Sequence, residues 1–243
     1  MIMAIDVIAF DADDTLWHNE SLYAAAQDRF QELLRAYHRD DGALDELYET
    51  EMANLPLFGY GIKSFALSMI ETAVKLSGSE IAASAIGEII EIAKEMKQAP
   101  VGLLEDVEHV VQTLSGSYKL MLITKGDLLD QERKIANSGL ATYFDHVEVV
   151  TDKTVEVYRT LLEKHRIVPE RFLMVGNSLR SDILPVVALG AHAVHIPYHL
   201  IWAHETVPVH PNSTQEYVEL EHIGMLPDYV EQLTRYGLTP GAE

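Results

Sequence analysis

The sequence predicts an α/β protein in which a three-layer, parallel-sheet core carries an inserted all-helical domain. Three observations lead there. The apolar run at residues 5–10 stops abruptly in acids, residues 19–98 carry helical periodicity alone, and beyond Pro100 short apolar runs alternate with helical stripes. The first strand must join the later ones in one sheet, so the helical block is an insertion and not a separate N-terminal domain. The boundaries are 1–17 plus 99–243 for the core and 18–98 for the helical domain.

Ile5, Val7, Ile8, Ala9 and Phe10, interrupted only by Asp6, have the composition of a strand buried on most of its surface. In the insert, Leu22, Ala26, Phe30, Leu33, Leu34 and Tyr37 recur at helical spacing, followed by Leu44, Leu47, Tyr48 and Met52. A third stripe, Phe65, Met69, Ile70, Ala73 and Leu76, ends near Gly78. Ser79 is placed to cap a fourth helix containing Ile81, Ile86, Ile89, Ile90, Ala93 and Met96. Four helices in succession suggest a small bundle. After Pro100 the expected order is helix 104–114, strand 119–124, helix 128–138, strand 146–150, helix 155–165, strand 172–175, helix 181–189 and strand 193–196. Such alternation implies right-handed crossovers and helices on both faces of a parallel sheet. Residues 216–223 suit an edge strand, and a short final helix starts near Met225.

Composition narrows the function. A chain of 243 residues with 48% hydrophobic and 23% charged residues has the make-up of an ordinary globular protein able to bury a full core. Its formal charge of -20 argues against nucleic acid or an anionic membrane surface as a partner, and requires local cations to capture any phosphate. Without cysteine there is no disulfide, thiol chemistry or cysteine zinc site. No signal-like opening and no long apolar run is present, so a cytoplasmic location is expected.

Chemistry gathers where strands end. Asp11, Ala12, Asp13, Asp14 and Thr15 follow the first strand, and open α/β sheets bind ligands beyond the carboxyl ends of their strands. Asp11 and Asp13, two apart in extended chain, project to the same side and suit a nucleophile and its proton donor. Clustered carboxylates repel unless a cation or a proton intervenes, and hard oxygens without a thiol favour Mg²⁺ over zinc. The alternative is a helix cap or Asx turn. Thr124, Lys125 and Gly126 end the second strand, with a hydroxyl and a glycine that lets backbone amides approach an anion. Lys153 follows the third, and Asn177 and Asp182 lie in the polar loop after the fourth.

In these motifs the chain resembles the haloacid dehalogenase-like hydrolase superfamily, whose pattern is Asp-x-Asp-x-Thr after the first strand, Thr or Ser after the second, then Lys, then an acidic motif. Asp11, Asp13 and Thr15 match the first, Thr124 the second, Lys153 the third and Asp182 the fourth. The helical insert is similar to the family's type 1 cap, on a Rossmann-like core. The resemblance implies a Mg²⁺-dependent phosphatase acting on a small phosphorylated metabolite. Asp11 would be the nucleophile, forming an aspartyl-phosphate, and Asp13 the acid and base. Thr124, Lys153 and the Lys125 and Gly126 amides would hold the phosphoryl oxygens. Mg²⁺ would sit on the Asp11 and Asp182 carboxylates and the Asp13 backbone carbonyl. A phosphomutase, an L-2-haloacid dehalogenase and a non-catalytic phosphate-ligand binder are the alternatives, and Asp13 opposes dehalogenation because the dehalogenases lack that second Asp. Monomer and homodimer both remain open.

Some positions depart from the pattern or lie outside it. Asn177 stands where an acid is often found and is expected to hold a metal-bound water or a substrate group. Lys125 replaces a commoner Asn and would either meet a second anionic group or point to solvent. Asp14 replaces a frequent Gly. Residues 55–63 join two helices of the insert, and Tyr60 and Lys63 would either touch the leaving group or pack on their own bundle. His192, His195, His199, His204 and His210 resemble a metal cluster by number but lack ligand spacing, so ordinary loop and strand roles are expected. Tyr198, Trp202 and Glu205 are candidates for the mouth of the site.

Overall fold

The computed structural model describes residues 5–37, 42–207 and 217–236. The chain divides into two units: the described residues of 1–20, 101–125 and 134–243 form the first, and those of 21–100 and 126–133 the second.

The first unit is built on six parallel strands in the order β3-β2-β1-β4-β5-β6. These are β1 (Val7–Phe10), β2 (Lys119–Lys125), β3 (His146–Val150), β4 (Phe172–Gly176), β5 (His192–His195) and β6 (Val218–Glu219). β1 is central, with Ile8 opposite both Leu120 and Leu173, and every residue in it is buried. Burial on both faces is why its sequence runs almost continuously apolar and does not alternate. Successive side chains go to opposite faces. On one face Ile8, Phe10, Leu122 and Val175 pack with Val110 and Leu114 of α5 (Val107–Ser115) and Leu226 and Val230 of α9 (Leu226–Tyr236). On the other, Val7, Ala9, Met121 and Met174 meet Tyr158 and Leu162 of α7 (Val155–His165) and Val186 of α8 (Leu184–Val187). These are the three layers of an α/β protein.

The second unit contains most of α1 (Glu20–Leu34), all of α2 (Ala43–Phe58), α3 (Ile62–Leu76) and α4 (Ala83–Gln98), and the start of α6 (Leu128–Asn137). Phe30, Leu34, Leu47, Phe65, Met69 and Ile89 form its own core. Polar contacts tie α2 to α3: Thr72 donates to Thr50 at 3.0 Å, Asn54 donates to Ser68 at 3.1 Å and to Glu71 at 2.9 Å, and Lys75 pairs with Glu46.

Several sequence expectations shift. α2 continues through Pro56 to Phe58, so only Gly59, Tyr60 and Gly61 link it to α3. The φ angles of 71° at Gly59 and 112° at Gly61 permit so short a connection. Ser79 does not cap α4, which starts at Ala83 without a side-chain cap; in the turn before it the Ser77 hydroxyl accepts the Ile81 amide at 3.1 Å. The helix expected at 181–189 is a π-helical turn, Leu179–Ile183, followed by the short α8. β5 begins at His192, one residue ahead of expectation, and the edge strand shrinks to Val218–Glu219, with Glu216 outside the described residues. Among the described residues no helix is long and apolar enough to cross a membrane.

Candidate active site

The strand order reverses at β1, with β2 and β3 to one side and β4, β5 and β6 to the other. At such a switch point a crevice forms beyond the carboxyl ends of the strands. Asp11 follows β1, and the Lys153 ammonium joins its carboxylate to that of Asp182, the latter contact at 2.6 Å. Thr15 Oγ1 donates to Asp11 Oδ2 at 3.0 Å and accepts the Asn177 amide at 3.1 Å, tying the chain after β1 to the chain after β4. Ser178 N donates to Asp182 Oδ2 at 3.0 Å. Gly176 makes this packing possible, since a Cβ there would stand 2.3 Å from Asp182 Oδ2. Thr124 is 1% exposed, and its hydroxyl has no hydrogen-bond partner. A buried hydroxyl left unpaired costs stability, about 1–3 kcal/mol, and is suited to meet a ligand.

Burial raises Asp11 to about 7, against the attraction of Lys153 and with the nearby Asp182 charge adding to the rise. Burial alone would lower Lys153, but Asp11 and Asp182 outweigh it and hold the ammonium charged. The Tyr158 hydroxyl, also buried without a partner, is pushed well above its ordinary value by the same desolvation.

The two other acids of the first motif have separate partners. Asp13 accepts the Trp17 indole N–H at 2.6 Å, and Lys134 Nζ lies 2.8 and 2.9 Å from its two carboxylate oxygens. Asp14, at φ 63°, accepts the amides of Asn19 at 2.8 Å and Glu20 at 2.9 Å. It is a capping acid in a left-handed conformation, which explains how it fills a position where glycine is common. Burial raises Asp14 to about 7 despite those two amides.

Lys125 neither points to solvent nor offers an open charge. Its ammonium donates to Ser181 Oγ at 2.8 Å and pairs with Glu205, whose carboxylate also accepts from the hydroxyls of Ser178 and Ser181. Burial would raise Glu205, but Lys125 and the hydroxyls outweigh it and bring the carboxyl down to about 2. Gly126, Tyr60 and Lys63 belong to the second unit. There Lys63 pairs with Asp127 at 2.7 Å, and Gly126 has a φ of 144°, a conformation that side-chain-bearing residues rarely adopt.

The C-terminal histidines take ordinary structural places. His195 lies between Glu219 at 2.9 Å and the Asn177 carbonyl at 3.0 Å, while the His199 ring packs against Tyr198 at a tilt of 47°. His210 falls outside the described residues. Among the described residues no three or more His, Cys, Asp or Glu side chains are arranged to hold a metal. The Asp11 and Asp182 carboxylates with the Asn177 amide are nevertheless a hard-oxygen set. Mg²⁺ needs only one or two carboxylates when water and a phosphate complete its shell, so these residues fit it.

Sequence reasoning missed Lys134 and left Glu205 without a partner. Lys134 had a signal: Gln131, Lys134, Ile135 and Ser138 share one helical face, and all are buried. A lysine on such a face requires a carboxylate.

The chain belongs to the haloacid dehalogenase-like hydrolase family, whose model matches residues 5–190. Over 96% of its length it is similar to a haloacid dehalogenase-like family hydrolase from Xanthomonas campestris, with 37% identity, a TM-score of 0.85 and 97% of that chain covered. The fold is shared with an L-2-haloacid dehalogenase from Xanthobacter autotrophicus, at 17% identity and a TM-score of 0.63, covering 93% of this chain and 98% of that one. A glyceraldehyde 3-phosphate phosphatase from Methanothermobacter thermautotrophicus is 31% identical over 101 residues, 38% of this chain. The match spans 45% of that relative's length.

Proposed function

We propose that the protein is a Mg²⁺-dependent phosphatase of a small phosphorylated metabolite, working through an aspartyl-phosphate on Asp11. The observation that carries this reading is the grouping of Asp11 with the Lys153 ammonium and Asp182 beyond the ends of β1 and β4. The resemblance of part of the chain to a glyceraldehyde 3-phosphate phosphatase supports the same chemistry.

In this reading an Asp11 oxygen attacks phosphorus while the bond to the leaving oxygen breaks, and that oxygen takes the departing electron pair and a proton from Asp13. Water then attacks the aspartyl-phosphate, gives a proton to Asp13 and releases phosphate. Lys153 and the Thr124 hydroxyl would hold phosphoryl oxygens, joined by the backbone amides of Lys125 and Gly126. Asp11, Asp182, Asn177 and the Asp13 carbonyl would hold Mg²⁺, which neutralises phosphoryl charge when bound. The Lys125 side chain, neutralised by Glu205, shapes the polar wall and is not a second anion receptor. The helical second unit is read as the cap, with Tyr60, on the short link between α2 and α3, and Lys63, in the first turn of α3, as candidates for substrate contact.

Asp13 favours phosphoester cleavage over dehalogenation, because halide leaves without a proton. Phosphate release from an aryl phosphate, measured with and without Mg²⁺ for wild type and Asp11→Asn, tests the reading. Metal-dependent turnover is expected in the wild type, with a loss of at least about 10³-fold in the variant. Equal rates in the two proteins would overturn it.

A further inference from the structure

Asp13 accepts from two side-chain donors, Trp17 and Lys134, that lie outside the family motifs. Lys134 Nζ reaches both of its oxygens, at 2.8 and 2.9 Å, and a third acceptor, Asn19 Oδ1, at 2.9 Å. Trp17 Nε1 reaches Asp13 Oδ1 from the chain turn at 2.6 Å. That turn is itself fixed: the Asp14 amide donates to the Trp17 carbonyl at 2.7 Å, and Trp17 is 1% exposed. Lys134 is 7% exposed on α6, so its charge has left water and depends on these acceptors. A lysine stem has many rotamers, and burying it at a single carboxylate removes that freedom. Such an arrangement fixes where the carboxylate faces.

We infer that Lys134 is the positioning residue for Asp13, setting with Trp17 the orientation in which that carboxylate serves the reaction. The inference rests on the proposed hydrolysis for its kinetic consequence, while its geometric content stands apart from it. Lys134 is given no contact with substrate in this reading; it acts through the Asp13 carboxylate. Without it the carboxylate loses the donor that reaches both of its oxygens and turns more readily about its own side-chain bonds, which lowers the rate of proton transfer and leaves binding of the phosphoryl group to Lys153 and Thr124 intact.

The two tryptophans of the chain provide a readout that needs no turnover. The indole N–H resonances of Trp17 and Trp202, assigned with Trp202→Phe, are recorded for wild type, Asp13→Asn, Lys134→Gln and Lys134→Arg, with thermal melts to establish folding. In Lys134→Gln the Trp17 resonance is expected to move and broaden, and in Lys134→Arg to return towards its wild-type position. On an aryl phosphate, kcat of Lys134→Gln falls about 10²-fold at unchanged KM, and the same substitution added to Asp13→Asn causes no further loss. An unmoved Trp17 resonance in folded Lys134→Gln, or a further loss in the double variant equal to that of the single, overturns the inference. If every protein including wild type is inert while the resonance moves as described, the clamp stands and the phosphatase reading falls.

Discussion

Lys153 is the residue on which the site's charge balance turns. It is 4% exposed and is the shared cation of two buried carboxylates. Breaking a buried pair by removing one partner costs more than the pair contributes, because the remaining charge is uncompensated. Lys153→Met is therefore expected to lose about 3 kcal/mol in urea unfolding at neutral pH, together with phosphate release; an unchanged midpoint would show that the carboxylates are otherwise neutralised. Glu205 provides a pH-dependent counterpart. Its carboxyl lies at about 2 in the folded protein against an ordinary 4.5, so the stabilisation is complete above 4.5 and is lost as pH falls towards 2. Wild type should exceed Glu205→Gln by on the order of 3 kcal/mol near pH 6, with the difference shrinking steadily below pH 4.5. A gap that stays constant down to pH 3 would contradict this. The grouping of Asp11, Lys153 and Asp182 was anticipated in the sequence because each follows the end of a strand. Glu205 was not paired with Lys125 in advance, because it arrives on an irregular segment whose path no periodicity encodes.

Among the elements, β1 and the helices of the second unit were readable for different reasons. β1 shows itself as an apolar run because it is buried on both faces, and α3 because its apolar residues repeat at helical spacing. Punctuation residues misled where tertiary context overrode them. Residues 55–63 were expected to link two helices, yet α2 proceeds through Pro56 to Phe58, and Ser79, expected as a cap, has φ 70° in a turn while α4 starts without a side-chain cap. The polar seam between α2 and α3 yields a prediction at this scale. Thr72 is fully buried and donates only to Thr50, which in turn donates to the Glu46 carbonyl at 2.9 Å. Thr50→Val strands the Thr72 hydroxyl and should cost about 1–3 kcal/mol, whereas adding Thr72→Val should recover most of it. Thermal or urea unfolding of the single and double variants measures this; a double variant as unstable as the sum of its parts would refute it.

At the level of the whole molecule, alternation after Pro100 was enough to anticipate a parallel sheet, because crossover helices leave few other topologies. The family follows from the same order of strand ends, now supported by the match over residues 5–190. Substrate identity was not legible, since the strand-end residues address a phosphate and say nothing of what it is attached to. The fold is shared with an L-2-haloacid dehalogenase, so the central claim concerns which atom water attacks. Turnover of an aryl phosphate in water enriched in heavy oxygen, followed by mass spectrometry of the released phosphate and of the peptide bearing Asp11, separates the two chemistries. Heavy oxygen in the phosphate and none in Asp11 is the expected result. Heavy oxygen accumulating in the Asp11 carboxylate would mean that water attacks the carbon of an ester at Asp11, as dehalogenation requires, and would contradict it.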